Sequence, residues 1–356
     1  MNLIKNLTTF LVSLVLSFIV AEAFFRFFYP QNLTGTWSTI DKFGLLMNKS
    51  EGEAFQRYGD RKARYDFQEF GIRRSFYPQD STLNKVLVLG DSFTFGWLLN
   101  EEDTYINLLA KANDNKIFLN AATGGWGVSH YTAYVETYCE RIKPEIILVV
   151  FNADDIYRML RSNLYIYDPD LKVVSRSEYK QTKKHHLMKL IKKFPFVNFI
   201  LENSHLFQFV RLVAFGGGLG TMQKKDDLDP WKNVLTFGSR EIENINYSNQ
   251  YGAALIQYLK KISTKCNSDL RMVYTGVQKK NNFGTYPSLE FIEYAKDKDF
   301  FNKLGIKFVD LSDTSQMVEY RRNPRKHTIK YDNHPNESGA KLLFEAINQS
   351  NILRTN

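Results

Sequence analysis

Residues 85–97, KVLVLGDSFTFGW, pass from a short apolar run into a turn, and that passage decides the fold. Lys85 to Leu89 reads as a buried strand. Gly90-Asp91-Ser92-Phe93-Thr94-Phe95-Gly96 then sets a serine at the carboxyl end of that strand, where a helical region begins. Comparable runs recur at Ile117 to Leu119, Glu145 to Phe151, Leu270 to Val277 and Ile306 to Leu311. Helical patterns separate them at Glu101 to Ala112, Ser129 to Arg141, Tyr247 to Lys265, Ser288 to Leu304 and Glu337 to Asn348. This alternation predicts an α/β protein, flavodoxin-like, with three α/β/α layers and a parallel sheet of about five strands. Ligands of such sheets bind outside the carboxyl ends of the strands. Chemistry is therefore expected just after Leu89, Leu119, Phe151 and Val277, and in the loop before the last helix.

A lone G-D-S is common, and the elbow of α/β-hydrolases needs a glycine where Thr94 stands, so the turn alone reads as structural. Three further segments change that weighting. Asn120-Ala121-Ala122-Thr123-Gly124-Gly125-Trp126-Gly127 is a glycine-rich loop whose backbone amides can approach a developing oxyanion. Phe151-Asn152-Ala153-Asp154-Asp155 brings polar groups to the same sheet edge. Asp332-Asn333-His334-Pro335-Asn336 offers a carboxylate and an imidazole two residues apart, a spacing that lets the carboxylate fix the imidazole tautomer.

Together these blocks resemble the SGNH (GDSL) hydrolase superfamily, in its membrane-anchored bacterial type. The resemblance covers Lys85 to Ile156 and Val273 to Ile347, with VLVLGDSFTFGW, LNAATGGWGVSHY and DNHPNESG close to three of the family's four blocks. It implies Ser92 as nucleophile, His334 as general base and acid, and Asp332 as the residue that orients His334. The oxyanion donors it implies are the backbone N–H groups of Ser92 and Gly125 and a side chain from the third block. That block departs from the family's G-x-N-D: strand-end alignment puts Asp154 at the asparagine position and Asn152 at the glycine position. An ionised carboxylate would repel the transition state, so Asn152 is the preferred donor, with a protonated Asp154 as the alternative. No metal or cofactor is implied. The activity implied is that of a serine esterase removing an O-acyl group, acetyl foremost, from a cell-surface carbohydrate through an acyl-serine. A polysaccharide O-acetyltransferase and a non-catalytic SGNH-like binding protein are the alternatives, and the substrate class is an O-acylated glycan or lipid ester.

Outward from these blocks, Leu7 to Tyr29 is apolar and carries no charge from Leu7 to Ala21. Ala21-Glu22-Ala23 resembles a signal-peptide cleavage site. Cleavage would leave FFRFFYP as the new terminus, so an uncleaved anchor is preferred, with Glu22 and Arg26 pairing one turn apart near the membrane exit. A short tail with Lys5 favours a single pass with the body outside the cytoplasm, periplasmic or at the cell surface. The expected organisation is an anchor over 1–29, a connecting region over 30–84, the hydrolase domain over 85–156 and 247–356, and an insertion or lid over 157–246. The insertion holds Lys180, Lys183, Lys184, Lys189, Lys192 and Lys193, then an aromatic and aliphatic run from Phe194 to Phe215. It reads as a helical subdomain with a solvated basic edge, or as a lid on anionic lipid or over an acyl substrate.

The chain has 356 residues, 44% of them hydrophobic, and 47 Lys+Arg against 38 Asp+Glu, values that exclude a disordered or collagen-like class. The surplus of basic residues does not interleave with aromatics in a nucleic-acid-binding module, so no nucleic-acid partner is expected. Cys139 and Cys266 suggest no zinc site, and their redox state stays open. His185-His186 and Asp226-Asp227-Leu228-Asp229 read as surface rather than metal ligands, and His130 as a helix-face histidine making one hydrogen bond. Arg321, Arg322, Arg325 and Lys326 read as a solvated loop.

Overall fold

The computed structural model describes residues 2–34, 37–41, 44–59, 61–76, 78, 80, 82–152, 155–162, 164–177, 194–214, 236–237, 240–241, 245–277, 280–281, 284–285, 287–330 and 332–354. The chain forms two compact units. One comprises Met1–Trp37, Ala54–Arg64 and Gln181–Leu228; the other comprises Ser38–Glu53, Tyr65–Lys180 and Asp229–Asn356.

The larger unit is built on five parallel strands: β1 (Asn84–Gly90), β2 (Lys116–Asn120), β3 (Ile146–Phe151), β4 (Asp269–Tyr274) and β5 (Lys307–Asp310). Their order in the sheet is β2-β1-β3-β4-β5. That is the flavodoxin-like order, with its switch point between β1 and β3. Buried on both faces, these strands need apolar residues at consecutive positions rather than alternate ones. Leu87 and Leu89 of β1 enter one core layer, with Tyr131, Val135 and Cys139 of the helix Val128–Ile142 and with Leu255 and Leu259 of the helix Ile245–Lys265. Val86 and Val88 enter the other, with Ile106 and Leu109 of the helix Tyr105–Ala112 and Leu343 and Ile347 of the helix Glu337–Gln349.

Several elements depart from the sequence reading. The connecting region supplies part of the sheet: Ile72–Arg73 pairs antiparallel with β2, and the end of the strand Arg61–Gln68 pairs with it in turn. The expected helix at Ser288 to Leu304 is two helices, Pro287–Asp297 and Phe300–Lys303, broken at Asp299, which takes a positive φ of 50°. The break lets Phe300 and Phe301 both turn inward. The stretch from Ile156 does not leave the fold at once, because a helix, Asp155–Ser162, packs against the helix Val128–Ile142 first. Arg321 and Arg322 end a helix, Ser315–Arg322, and Arg321 donates to the carbonyls of Gly276 and Ser312 at 2.6 Å each, so this stretch is not a solvated loop. Cys139 and Cys266 are bonded to each other, Cα to Cα 6.1 Å, which joins the helix Val128–Ile142 to the end of the helix Ile245–Lys265.

The smaller unit contains the helix Asn2–Phe28, of which Ile4–Phe28 is long and apolar enough to cross a membrane. It also contains the helices Pro195–Asn203 and His205–Ala214, and Leu33–Thr34 paired antiparallel with Gln56 and Arg57. The lysine cluster at 180–193, His185-His186 and Asp226 to Asp229 lie outside the described residues.

Candidate active site

The turn after β1 is shaped by close approach. A Cβ on Gly90 would lie 2.4 Å from Thr94 Cβ and 2.8 Å from the Val150 carbonyl oxygen, so only glycine admits the Thr94 side chain folding back over the strand end. Thr94 Oγ1 there accepts from the Tyr105 hydroxyl at 2.7 Å. The positive φ of the turn falls on Gly96, at 81°, where the one-turn helix Ser92–Phe95 is capped. Asp91 caps its start, accepting from the Phe93 N–H at 2.9 Å. The glycine missing at Thr94 is therefore replaced by two others that do its work on either side.

Arg73, on the strand beside β2, fastens the same turn. Its buried guanidinium donates to the carbonyls of Phe95, Gly96 and Leu99 at 2.6–2.8 Å and lies against the rings of Tyr65 and Phe95. Burial lowers its pKa to about 10, which still leaves it charged at neutral pH.

On the facing loop, His334 Nε2 stands 2.7 Å from Ser92 Oγ, and His334 Nδ1 is hydrogen-bonded to Asp332 Oδ1. The same carboxylate oxygen accepts the His334 backbone N–H at 2.8 Å. Burial alone would raise the Asp332 carboxyl. Hydrogen bonds and charge from His334, with a smaller contribution from the Trp97 indole, instead hold it below the usual carboxylate value. The imidazole packs on Phe93 and Trp97, with ring centroids 5.2 and 5.4 Å away. The rest of the motif holds the loop: Asn336 accepts from the Gly339 N–H at 3.0 Å and donates to the carbonyls of Lys326 and Thr328. A Cβ on Gly339 would strike the His327 carbonyl at 2.2 Å, so the final glycine lets the helix dock.

Facing Ser92 is the glycine loop. Thr123 to Trp126 closes a turn through the Trp126 N–H to the Thr123 carbonyl, with Gly125 at φ 81° in its third position, where a type II turn wants glycine. Gly125 was expected to supply an amide, and its neighbour Gly124 lies against Ser92: a Cβ there would sit 3.9 Å from Ser92 Cβ. The N–H groups of Ser92, Gly124 and Gly125 have no backbone acceptor among the described residues. Asn152 is buried at the end of β3, with its Oδ1 accepting from Thr275 and its Nδ2 donating to Asp91 Oδ1 at 2.9 Å. One of the two hydrogens on that nitrogen is thus committed to Asp91. Asp154, the other third-block candidate, lies outside the described residues.

Beneath these groups runs a polar network absent from the sequence reading. Arg158, on the helix Asp155–Ser162, pairs with Asp91 Oδ2 at 2.9 Å and with Asp155 Oδ1 at 3.3 Å. Asp155 is fully buried and accepts the Asn152 N–H and the Tyr131 hydroxyl at 2.8 Å each. Burial, and then the neighbouring Asp91, push the Asp155 carboxyl well above its ordinary value. Gly127 allows this helix to approach, since a Cβ there would lie 2.3 Å from the Asp155 carbonyl. His130 accepts from the Gly127 N–H at 3.2 Å and stacks on Trp126. Burial, aided by Arg158, lowers its pKa to about 4, so it is neutral at physiological pH. Among the described residues no cluster of His, Cys, Asp and Glu is arranged to hold a metal.

The arrangement can do one kind of chemistry directly: an imidazole oriented by a carboxylate can take the proton of a hydroxyl beside it. No family model matches the chain, and no curated protein does. Among solved structures the chain is similar to the psychrotrophic esterase EstA from Pseudoalteromonas sp., at 12% identity over 75% of this chain and 96% of that one, TM-score 0.40. It is similar to a member of the lipolytic protein G-D-S-L family from Veillonella parvula, at 10% identity over 74% and 96%, TM-score 0.39. A catalytic mutant of Axe2, an acetylxylan esterase from Geobacillus stearothermophilus, matches at 13% identity over 78% and 95%, TM-score 0.39. Likenesses this distant decide nothing about chemistry, which rests on the geometry of the site itself.

Proposed function

We propose that the chain is a serine ester hydrolase of the SGNH (GDSL) type that removes an O-acyl group from a carbohydrate or related glycoconjugate. The observation that carries this reading is the continuous hydrogen-bonded line from Ser92 Oγ through His334 to Asp332. Ser92 Oγ attacks the ester carbonyl as His334 Nε2 takes its proton, and His334 then delivers that proton to the leaving alkoxide. Asp332 holds the tautomer and supports the imidazolium. Water, deprotonated by the same imidazole, attacks the acyl-serine, and breaking the ester bond frees the acid and regenerates Ser92. The N–H groups of Ser92 and the Gly124-Gly125 turn, with the free hydrogen of Asn152, meet the oxyanion, at about 3 kcal/mol per donor.

The body works outside the cytoplasm, held by Ile4–Phe28 as a single-pass anchor with its amino terminus inside. The apolar helix supports this, and so does the pairing of the chain's two cysteines, which fits an oxidising compartment. Ser92 labelling by a fluorophosphonate, abolished in Ser92→Ala, tests the nucleophile. Acetate release from an acetylated xylan or chitosan, followed beside acetyl-sugar formation, tests the reaction. An unlabelled Ser92 would sink the enzyme reading, and dominant acetyl-sugar formation would replace hydrolysis with transfer. Protease added to intact cells should digest the body, and protection of it would reverse the orientation.

A further inference from the structure

The insertion carries a pair of helices that the catalytic reading does not use, Pro195–Asn203 and His205–Ala214. They are bolted to the last turns of the long apolar helix. Glu22 caps the start of the second helix, its carboxylate accepting from Ser204 Oγ at 2.8 Å and from the N–H groups of Leu206 and His205 at 3.0 and 3.1 Å. Arg26 pairs with Glu22 and donates to the Asn203 carbonyl, both at 3.0 Å. Phe25 stacks on Phe209 with ring centroids 4.3 Å apart.

The outward side of this pair is apolar. Phe194, Phe196, Phe199, Val210 and Val213 are each more than half exposed, the most open being Phe196 at 73%. Phe196 and Phe199, and Val210 and Val213, are three residues apart, so each pair lies on one helix face. Phe24, Phe27, Phe28 and Tyr29 are similarly exposed on the adjoining end of the long helix. Six lysines between 180 and 193, with no acid among them, immediately precede Phe194.

We propose that Pro195–Asn203 and His205–Ala214 form an interfacial helical hairpin that lies in the lipid headgroup region, its exposed apolar side in the acyl chains. The occupant of the apolar face is the bilayer, and the proposal rests on the anchor reading above. Depth argues for it. From Ile4 to Ala21 the long helix rises about 27 Å at 1.5 Å per residue. A bilayer's hydrocarbon is about 30 Å thick, which puts Glu22 at its boundary and the hairpin beside it. Polar satisfaction argues for it too. A helix start at that depth has little water to bond, and Glu22 supplies the acceptor that the Leu206 and His205 N–H groups need. Aromatic residues beside a basic run are the composition of a segment that binds an anionic interface.

The test uses the full-length chain reconstituted in vesicles of phosphatidylcholine with a minority of phosphatidylglycerol. Phe196→Cys, Phe199→Cys and Val213→Cys replace exposed side chains, and Val174→Cys, at an exposed position of the strand Val173–Arg176, is the reference. A membrane-impermeant maleimide should label the three hairpin positions about tenfold more slowly than the reference, because an apolar medium excludes the reagent and disfavours the reactive thiolate. A fluorophore on Phe199→Cys should be quenched by brominated acyl chains. Labelling at the reference rate overturns the proposal. So does protection without quenching, because the face is then covered by protein. The anchor reading fails separately, if alkaline carbonate releases the chain from the membrane.

Discussion

The two ends of one parallel sheet behave differently. At the amino ends of β1 and β3 lies an open cleft of about 770 Å³ lined by Lys85, Glu140, Lys143, Glu145 and Lys265. At the carboxyl ends Asp91, Ser92, Asn152, Asp155 and Thr275 are all buried, and most are tied to one another. Lys265 and Glu140 on the cleft's rim are solvated: both are about three-quarters exposed and 3.2 Å apart. An exposed pair contributes little. Buried polar groups, by contrast, persist only where each has a partner, so their convergence marks the chemistry better than volume does.

Five experiments press on that contrast. Ser92→Ala or His334→Ala should each lower kcat for ester cleavage by roughly 10³-fold or more, and the double variant by far less than the product. Independent losses that multiply would break the proton-transfer unit. Asn152→Ala should lower kcat about 10²-fold with KM little changed, because its donor strengthens as charge develops. Asp154→Asn should hold or raise activity. The reverse pattern, with activity falling as pH rises through a shifted Asp154 value, would transfer the oxyanion role to Asp154.

Arg158→Met leaves Asp91 buried without its cation. Because Arg158 keeps 26% of its side-chain exposure, the stability loss should be about 2 kcal/mol rather than the full value for a buried pair, read by urea unfolding. At the opposite edge, Lys143→Ala and Lys265→Ala should change neither stability nor kcat/KM by more than about twofold. A large loss there would dissolve the contrast.

The pH dependence of melting temperature separates two carboxyls at the catalytic edge by sign. Asp332 is lowered in the fold, so it contributes stability above its ordinary range and loses it as pH falls through the folded value. Asp155 is raised, so its folded form binds a proton that the unfolded chain releases, and stability falls as pH rises from the ordinary carboxylate range towards the raised value. Asp332→Asn should flatten the acid limb, and Asp155→Asn should remove the decline on the other side.

The strands of the parallel sheet and the loops bearing Ser92, Asp332 and His334 were legible because each is a contiguous signal, an apolar run or a motif at a strand end. Arg158 was not, since one arginine on an amphipathic helix has no local signature and its partner, Asp91, lies far away in sequence. The strand Arg61–Gln68 was hidden for a different reason. Its inward residues, Ala63, Tyr65 and Phe67, alternate at period two, but the charged Arg61, Lys62, Arg64 and Asp66 mask the pattern. Arg73 breaks the usual rule that buried charge meets opposite charge. It is held by three carbonyls and two rings, which no count of acids would find.

The bond between Cys139 and Cys266 closes a ring of chain 127 residues around, and the excursion beyond Ser162 lies entirely inside it. In the chain-entropy description, such a closure removes about 5 kcal/mol of freedom from the unfolded chain. Doubling the length of a flexible loop costs only about 0.6 kcal/mol more. The stapled pair of helices thus works as a hem: what hangs from it can lengthen, shorten or change composition while the sheet registers almost none of it.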